Sequence, residues 1–186
     1  MKYLFDKTRF FPIKSSLILD KNVKKRYAIE IELKGKRQGK ERWLVILKNP
    51  SRAGENDISE SDCTVNRVCE YFFINKPEVS SVIIMNLFPV YQTYSEKLIE
   101  RSEDLIDAKN KSLLIQNINA AENIVLAWGG HPWKCKTYFD EMETFIFENI
   151  SNKNLYQMKH PRWGLNLEKP LHGQVWGYKY ELKRIN

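Results

Sequence analysis

The sequence predicts an α/β protein with a three-layer α/β/α architecture. A mostly parallel, four-stranded central sheet is expected to carry an additional N-terminal β-hairpin. Short apolar runs of strand length alternate with longer segments of helical periodicity, which favours a parallel sheet covered by helices. The 186 residues, 42% hydrophobic and 28% charged, suit one soluble globular domain. We therefore treat residues 1–186 as a single domain, with residues 1–40 as an N-terminal extension and basic hairpin.

The first predicted strand covers residues 26–33, where apolar and charged side chains alternate as in a half-buried strand. Residues 42–47 form a nearly continuous apolar run, which is typical of a strand covered on both faces. The polar link between them contains two glycines. We interpret the two runs as a hairpin that leads into the first core strand.

A turn-rich stretch follows, and residues 64–73 then show apolar side chains at helical spacing. Ser61 or Asp62 could cap this helix. Residues 79–87 predict a second buried strand. Residues 89–103 are polar and contain tyrosines, so we expect a loop there rather than a long helix.

The second half of the chain repeats the alternation. Residues 104–121 fit a helix, residues 123–128 a short apolar strand, and residues 133–150 another helix. Residues 155–158 begin a fourth core strand. The tail at residues 175–182 alternates again, and we expect it to pair at an edge of the sheet.

The formal net charge is +7, and much of it comes from residues 21–40. The basic side chains there are Lys24, Lys25, Arg26, Lys34, Lys36, Arg37 and Lys40. A basic surface favours a polyanionic partner, because contacts to phosphates release counterions. The alternative is a solvated hairpin edge protected by lysines.

The expected cellular compartment follows from three features that the sequence lacks: a disulfide framework, a membrane span and a secretory signal. Cys63, Cys69 and Cys135 are too few for a disulfide framework or an iron–sulfur cluster, so reduced thiols are expected. No apolar stretch approaches the ~20 residues that span a bilayer, and the first residues lack the features of a secretory signal. We expect a cytoplasmic monomer with no membrane contact.

Each core strand runs into a polar or glycine-containing motif. These motifs are Asn49-Pro50-Ser51, Asn86-Leu87-Phe88-Pro89, Trp128-Gly129-Gly130-His131 and His160-Pro161-Arg162. Ligands of open α/β sheets bind beyond the carboxyl ends of the strands. Turn formation by Asn, Pro and Gly explains one or two such motifs, and four of them indicate a site.

The residue types at these ends suit nucleotide chemistry. Asn49 and Asn86 could each hold a base edge or a water, or could cap the local backbone. Asp57 and Asp62 follow Asn49, and either could be a general base or a surface carboxylate. His160 lies between a strand end and a proline, amid cationic and aromatic residues, which favours an electrophilic or proton-donating role.

Weaker candidates complete the set. His131 ranks second among the histidines and His172 third, while the rings of Trp128 and Trp163 could stack on bases or pack in the core. A zinc site formed by His131, Cys135, His160 and His172 would match no familiar spacing, so neither a metal nor a cofactor is expected.

Five motifs occur in an order that resembles the domain of unknown function 1643 family, over residues 26 to 173. They are Asn49-Pro50-Ser51, Asp62-x-Thr64-x-x-Arg67, Val82 to Phe88, Ala127-Trp128-Gly129 and His160-Pro161. The chain departs from the usual Leu-Asn-Pro-Ser motif by having Lys48 before Asn49. It also has a longer insert between Ser51 and Asp62.

That family in turn looks like a branch of the uracil-DNA glycosylase superfamily. The resemblance implies that Asn49 positions the attacking water and that Asn86 reads the flipped base. It also implies that Trp128-Gly129 ends an apolar strand at the site and that His160-Pro161 stabilises the departing base. Arg162 replaces the serine of the superfamily's last motif. The implied catalytic residues are Asn49, Asp62 and His160, and the implied substrate-binding residues are Ser51, Arg67, Asn86, Phe88, Trp128, Gly129, His131, Arg162 and Trp163.

The expected function is that of a metal-independent DNA N-glycosylase, with DNA as the partner. Residues 51–54 are small and polar, which suits a roomier pocket and a modified base. A modified base carried by phage DNA would in turn imply a role in anti-phage defence, and the alternative role is repair. The alternatives are a non-catalytic nucleic-acid or nucleotide-binding module, and a hydrolase of free nucleotides or nucleosides.

Overall fold

The computed structural model describes residues 3–20, 23–35, 39–166, 168–177 and 179–186, and of residues 16–20 the backbone only. Its strands are β1 (Tyr3–Leu4), β2 (Phe10–Asp20), β3 (Val23–Leu33), β4 (Glu41–Leu47), β5 (Glu60–Ser61), β6 (Val79–Asn86), β7 (Asn123–Leu126), β8 (Asn154–Lys159) and β9 (Glu181–Arg184). Its α-helices are α1 (Cys63–Asn75), α2 (Ser102–Leu105), α3 (Ala108–Ala120) and α4 (Lys136–Asn149), and 3₁₀ helices cover Ser95–Arg101, Trp133–Cys135 and Gly173–Val175.

The larger sheet has the strand order β2-β3-β6-β4-β7-β8-β9. The pairs β4–β6, β4–β7 and β7–β8 are parallel, whereas β2–β3, β3–β6 and β8–β9 are antiparallel. The α/β class is therefore confirmed, as a mixed sheet wider than the predicted one. The four parallel strands are adjacent, so their carboxyl ends lie along one edge of the sheet.

The predicted pairing of the first two strands is wrong. β3 does not pair with β4, because β6 lies between them and pairs with both. The N-terminal hairpin is formed by β2 and β3 instead. β6 is a fully apolar strand at its centre, and hydrogen bonding on both sides satisfies its backbone where no water can reach.

Helices cover both faces of the sheet. One apolar cluster joins Val45 and Ile84 of the sheet to Val68 and Phe72 of α1. The opposite cluster joins residues of the same strands to α3 and α4, through side chains such as Leu114 and Phe139. The alternation of adjacent strand residues between the two clusters follows from the two-residue repeat of a strand.

Most predicted elements are confirmed, with shifted ends. Residues 89–103 differ, because a 3₁₀ helix and α2 replace the expected loop. The helix predicted at 104–121 begins only at Ala108, because Asp107 is extended and accepts a hydrogen bond from the Asn110 backbone as N-cap. The predicted edge strand of the tail is confirmed as β9, which pairs with β8. Lys36, Arg37 and Tyr178 of the predicted segments lie outside the described residues.

Among the helices of the described residues, none has the length and apolar character needed to cross a membrane.

Candidate active site

A cavity of about 370 Å³ opens at the carboxyl end of β4 and the first turn of α1. Its volume lies within the range of about 300–1,000 Å³ typical of small-molecule sites. We call it the strand-end cavity. Polar and charged side chains in its lining include Arg26, Lys48, Asn49, Ser51, Asp62 and His172.

Asn49 is held in a fixed orientation at the cavity. Its Nδ2 donates to the backbone oxygens of Pro50, at 3.0 Å, and Gln92. The Gln92 backbone N–H in turn donates to the Pro50 oxygen at 3.0 Å, so the loop after β6 braces the loop after β4. Since both amide protons are engaged, Oδ1 of Asn49 is left as an acceptor for a water or a ligand.

Asp62 also lines the cavity, and it caps α1 as predicted. Its Oδ1 accepts from the Val65 backbone N–H at 2.8 Å. Its Oδ2 accepts from the backbone N–H groups of Ala53, at 3.1 Å, and Arg52, at 3.3 Å. The carboxylate therefore joins the helix to the loop after Asn49. Asp57, the other candidate acid, is exposed and lies outside the cavity lining.

His172 is the histidine that lines the strand-end cavity. Its Nδ1 accepts a hydrogen bond from the Gln174 backbone N–H at 3.2 Å. Because Nδ1 is the acceptor, the neutral ring carries its proton on Nε2, which makes Nε2 a donor. Burial lowers the pKa of His172 to about 4. The positive charge of Lys48 lowers this pKa further, and the negative charge of Asp62 partly opposes the shift. The imidazole is therefore neutral at physiological pH.

Two glycines allow the segment that carries His172 to pack closely against the end of the sheet. The Gly129 N–H donates to the Pro170 oxygen at 2.8 Å, and the Gly173 N–H donates to the Ala127 oxygen at 3.3 Å. A Cβ on Gly173 would lie 3.0 Å from side-chain atoms of both Leu47 and Val68, so a larger residue there would push these side chains aside.

Arg67 of α1 closes the same turn, because its Nη1 donates to the Gln174 backbone oxygen at 2.6 Å. The predicted motif residues Gly129 and Arg67 thus act by supporting His172. For His172 itself, the only sequence signal is the run Pro170-Leu171-His172-Gly173, in which a histidine lies between a proline and a glycine.

The structure places His160 elsewhere. It lies in a tight turn closed by paired backbone hydrogen bonds with Gly164, and its Nδ1 accepts from the backbone N–H groups of Arg162 and Trp163, both at 3.2 Å. Its ring stacks on Trp163, with centroids 4.0 Å apart. Arg162 is exposed, and Trp163 is 72% exposed. This turn borders a different cavity, of about 600 Å³, which Lys169 also lines.

Two predicted aromatic residues lie in the core. Phe88 packs edge-on against Phe139, and Trp128 donates through Nε1 to Glu143 at 2.8 Å, on the face opposite α1. His131 lies 6.0 Å from the same Phe139 ring, between centroids. None of the three lines the strand-end cavity.

Asn86 has an unusual environment. Its side chain is fully buried, and neither Oδ1 nor Nδ2 has a hydrogen-bond partner among the described residues. Asn86 does not line the strand-end cavity, although it pairs in register with Leu47, which does. A buried amide without partners costs free energy, which a polar group of a ligand would offset.

We expect acid to destabilise the protein through His172. Below pH 6.5 the unfolded chain takes up a proton on this histidine, whereas the folded protein does so only near pH 4. Protonation of His172 therefore leaves the free energy of unfolding nearly unchanged above pH 6.5 and lowers it by about 2 kcal/mol at pH 5. Urea unfolding of wild type and His172→Asn at pH 7.5 and pH 5 checks this. An equal loss in both proteins would contradict it.

The chain matches a known protein family over most of its length. A family model described as "Protein of unknown function (DUF1643)" matches residues 26–165. Neither a curated protein nor a solved structure shows a significant match. The matched region includes the cavity residues of β3, β4 and α1 and ends before His172.

Proposed function

We propose that this chain, which belongs to the DUF1643 family of unknown function, is a DNA N-glycosylase that hydrolyses the N-glycosidic bond of a flipped nucleotide. The observation that carries the proposal is that an oriented Asn49 and a neutral His172 line the same cavity at the carboxyl edge of the sheet. The adjacent parallel strands β6, β4, β7 and β8 support a likeness to the uracil-DNA glycosylase fold.

The chemistry requires charge stabilisation at two points. As the bond from C1′ to the base nitrogen breaks, positive charge develops on the sugar and negative charge on the base. Oδ1 of Asn49 accepts a hydrogen bond from the attacking water and directs the water oxygen at C1′. The Nε2–H of His172 donates to a carbonyl oxygen of the departing base. The products are an abasic sugar with a new C1′ hydroxyl and the free base, which takes up the proton that water releases.

A neutral histidine suits this role. Because the pKa of His172 is lowered to about 4, its Nε2–H is present throughout the physiological pH range and needs no protonation step. Donation from a neutral imidazole stabilises an anionic leaving group while it forms.

The target base must leave the helical stack to reach this cavity. Ser51, the small residue of this segment that lines the cavity beside Asn49, supports a modified base as the substrate, while Arg52 also lines the cavity. The unpaired amide of Asn86, beside Leu47, supports a role in reading the base edge. A modified base of phage DNA would make the protein an anti-phage enzyme.

Base release from defined DNA tests the proposal. The protein is incubated, with chelator present, with DNA containing uracil, mismatched or hypermodified bases, and free base and alkali-labile sites are measured. We expect release from at least one substrate, and His172→Asn to reduce its rate by about 10²- to 10⁴-fold. Asparagine keeps an acceptor for the Gln174 N–H but lacks the Nε2 donor.

His160→Asn is the matched control, because His160 also accepts through Nδ1 from a backbone N–H two residues ahead but lies outside the cavity. It should leave the rate unchanged. A loss in His160→Asn with none in His172→Asn would restore the assignment made from sequence. Tight DNA binding without release from any substrate would instead indicate a non-catalytic module.

A further inference from the structure

Arg26 carries a buried charge that forms no ion pair with any of the described residues. Its side chain is 1% exposed and lines the strand-end cavity. Nη1 donates to the Ala53 backbone oxygen, and the guanidinium carbon lies 5.7 Å from the centroid of the Tyr91 ring. Nε is buried without a hydrogen-bond partner, and no carboxylate of the described residues forms an ion pair with this guanidinium.

The preceding residue, Lys25, shows how a buried charge is usually stabilised, by ion pairs with carboxylates. Lys25 is also buried, and its Nζ lies 2.9 Å from Asp104 and 3.0 Å from Asp107. A guanidinium stays protonated at any physiological pH, and a buried charge without a partner is costly. Such a cost is typical of a group whose partner is a ligand.

The surroundings of Arg26 favour an anion. Lys48 lines the same cavity, and burial lowers the pKa of its ammonium group, which an anion beside it would counteract. Lys48 is also the residue that departs from the Leu-Asn-Pro-Ser pattern. The carboxylate of Asp62 accepts three backbone N–H groups and makes no ion pair with either cation among the described residues.

We propose that Arg26 and Lys48 form a phosphate-binding subsite inside the strand-end cavity. A guanidinium offers paired N–H donors that match phosphate oxygens, and an ammonium adds a compact second charge. The subsite would hold a phosphate group of the substrate nucleotide. Only the identity of that carrier rests on the proposed function, because affinity for phosphate needs no catalysis.

Calorimetric titration at constant ionic strength tests the subsite. The probes are inorganic phosphate, thymidine 5′-monophosphate, thymidine and a short single-stranded oligothymidylate. We expect the monophosphate to bind at least tenfold more tightly than thymidine, and inorganic phosphate to compete with it. Tighter binding of the oligothymidylate than of the monophosphate would identify a backbone phosphodiester as the group held, and the reverse a terminal phosphate. Equal affinities for thymidine and its monophosphate would overturn the proposal.

Three variants separate the subsite from general charge. Arg26→Met and Lys48→Leu should each weaken monophosphate binding by about 10- to 100-fold. Arg42→Met is the matched control, because Arg42 lies at the opposite end of β4 and pairs with Glu30. It should bind as wild type does. An equal loss in all three would show a diffuse electrostatic effect and contradict the subsite.

Stability without ligand gives a second readout. If Arg26 serves a ligand, Arg26→Met removes an unpaired buried charge and should unfold at the same urea concentration as wild type or a higher one. A markedly less stable variant that still binds the monophosphate normally would assign Arg26 a structural role. Phosphate binding without base release would leave this subsite standing and remove the glycosylase proposal.

Discussion

Replacing Asp107 with alanine is expected to lower the free energy of unfolding by about 2–4 kcal/mol, because it removes the N-cap of α3 and one of the two carboxylates on the buried Lys25. Oδ2 of Asp107 lies 3.0 Å from Lys25 Nζ and accepts from the Tyr27 hydroxyl at 3.3 Å. Its Oδ1 caps α3 by accepting from the Asn110 N–H at 2.8 Å. One side chain therefore joins the start of β3 to α3.

The protonation equilibria agree with this role. Burial alone would lower the pKa of Lys25, but hydrogen bonds and charge attraction from Asp104 and Asp107 outweigh it and raise that pKa. Burial alone would raise the pKa of Asp107, but its bonds to Asn110 and Lys25 lower it. Both groups are therefore charged at neutral pH, and removing Asp107 leaves the buried Lys25 with one carboxylate, that of the partly exposed Asp104.

Urea denaturation at pH 7 measures the effect. Asp104→Ala is the control, since the Asp104 side chain is 28% exposed and its loss leaves Asp107 on Lys25, so a smaller cost is expected. The double variant Lys25→Met/Asp107→Ala should recover part of the loss, because the buried ammonium group is removed while α3 stays without its cap. A loss below about 1 kcal/mol in Asp107→Ala would contradict the buried pair. The basic segment was predicted to be either a surface for a polyanionic partner or a solvated hairpin edge, and two of its cations, Lys25 and Arg26, are buried.

The second large effect is expected at Gly129. Its φ is +73°, and a Cβ there would lie 2.9 Å from the Cβ of His172, closer than such atoms approach. Because the clash involves the Cβ of His172, a rotamer change cannot relieve it. We expect Gly129→Ala to lose about 2–4 kcal/mol, as left-handed strain and overpacking add.

Gly164→Ala provides the matched control, because Gly164 has the same φ of +73° but no atom lies within 4 Å of the position that a Cβ would take there. It should lose about 1–2 kcal/mol from the backbone strain alone. Urea unfolding gives the difference between the two variants. NMR titration of Gly129→Ala should also show the pKa of His172 moving from about 4 back toward 6.5 as the ring loses its buried position. Equal losses in both variants would show that His172 does not pack on Gly129.

The local parts of this protein follow from the sequence. Alternating and continuous apolar runs predict the core strands, and apolar residues at helical spacing predict α1, α3 and α4. Asp62 caps α1, as its position directly before an apolar repeat predicts. Asn49 and Ser51 lie in the strand-end cavity because they follow β4 directly, and the cavity opens at the carboxyl end of that strand. These features depend on neighbours a few residues away.

What only the tertiary structure decided is which distant residues meet. Three histidines were candidates, and the sequence favoured His160, yet His172 lines the cavity because the segment from Pro170 to Gly173 pairs with the end of β7. Arg26 resembled one more surface cation of a hairpin until β6 placed β3 within the sheet. Burial and charge compensation are properties of long-range packing, and the periodicity of a strand does not record them.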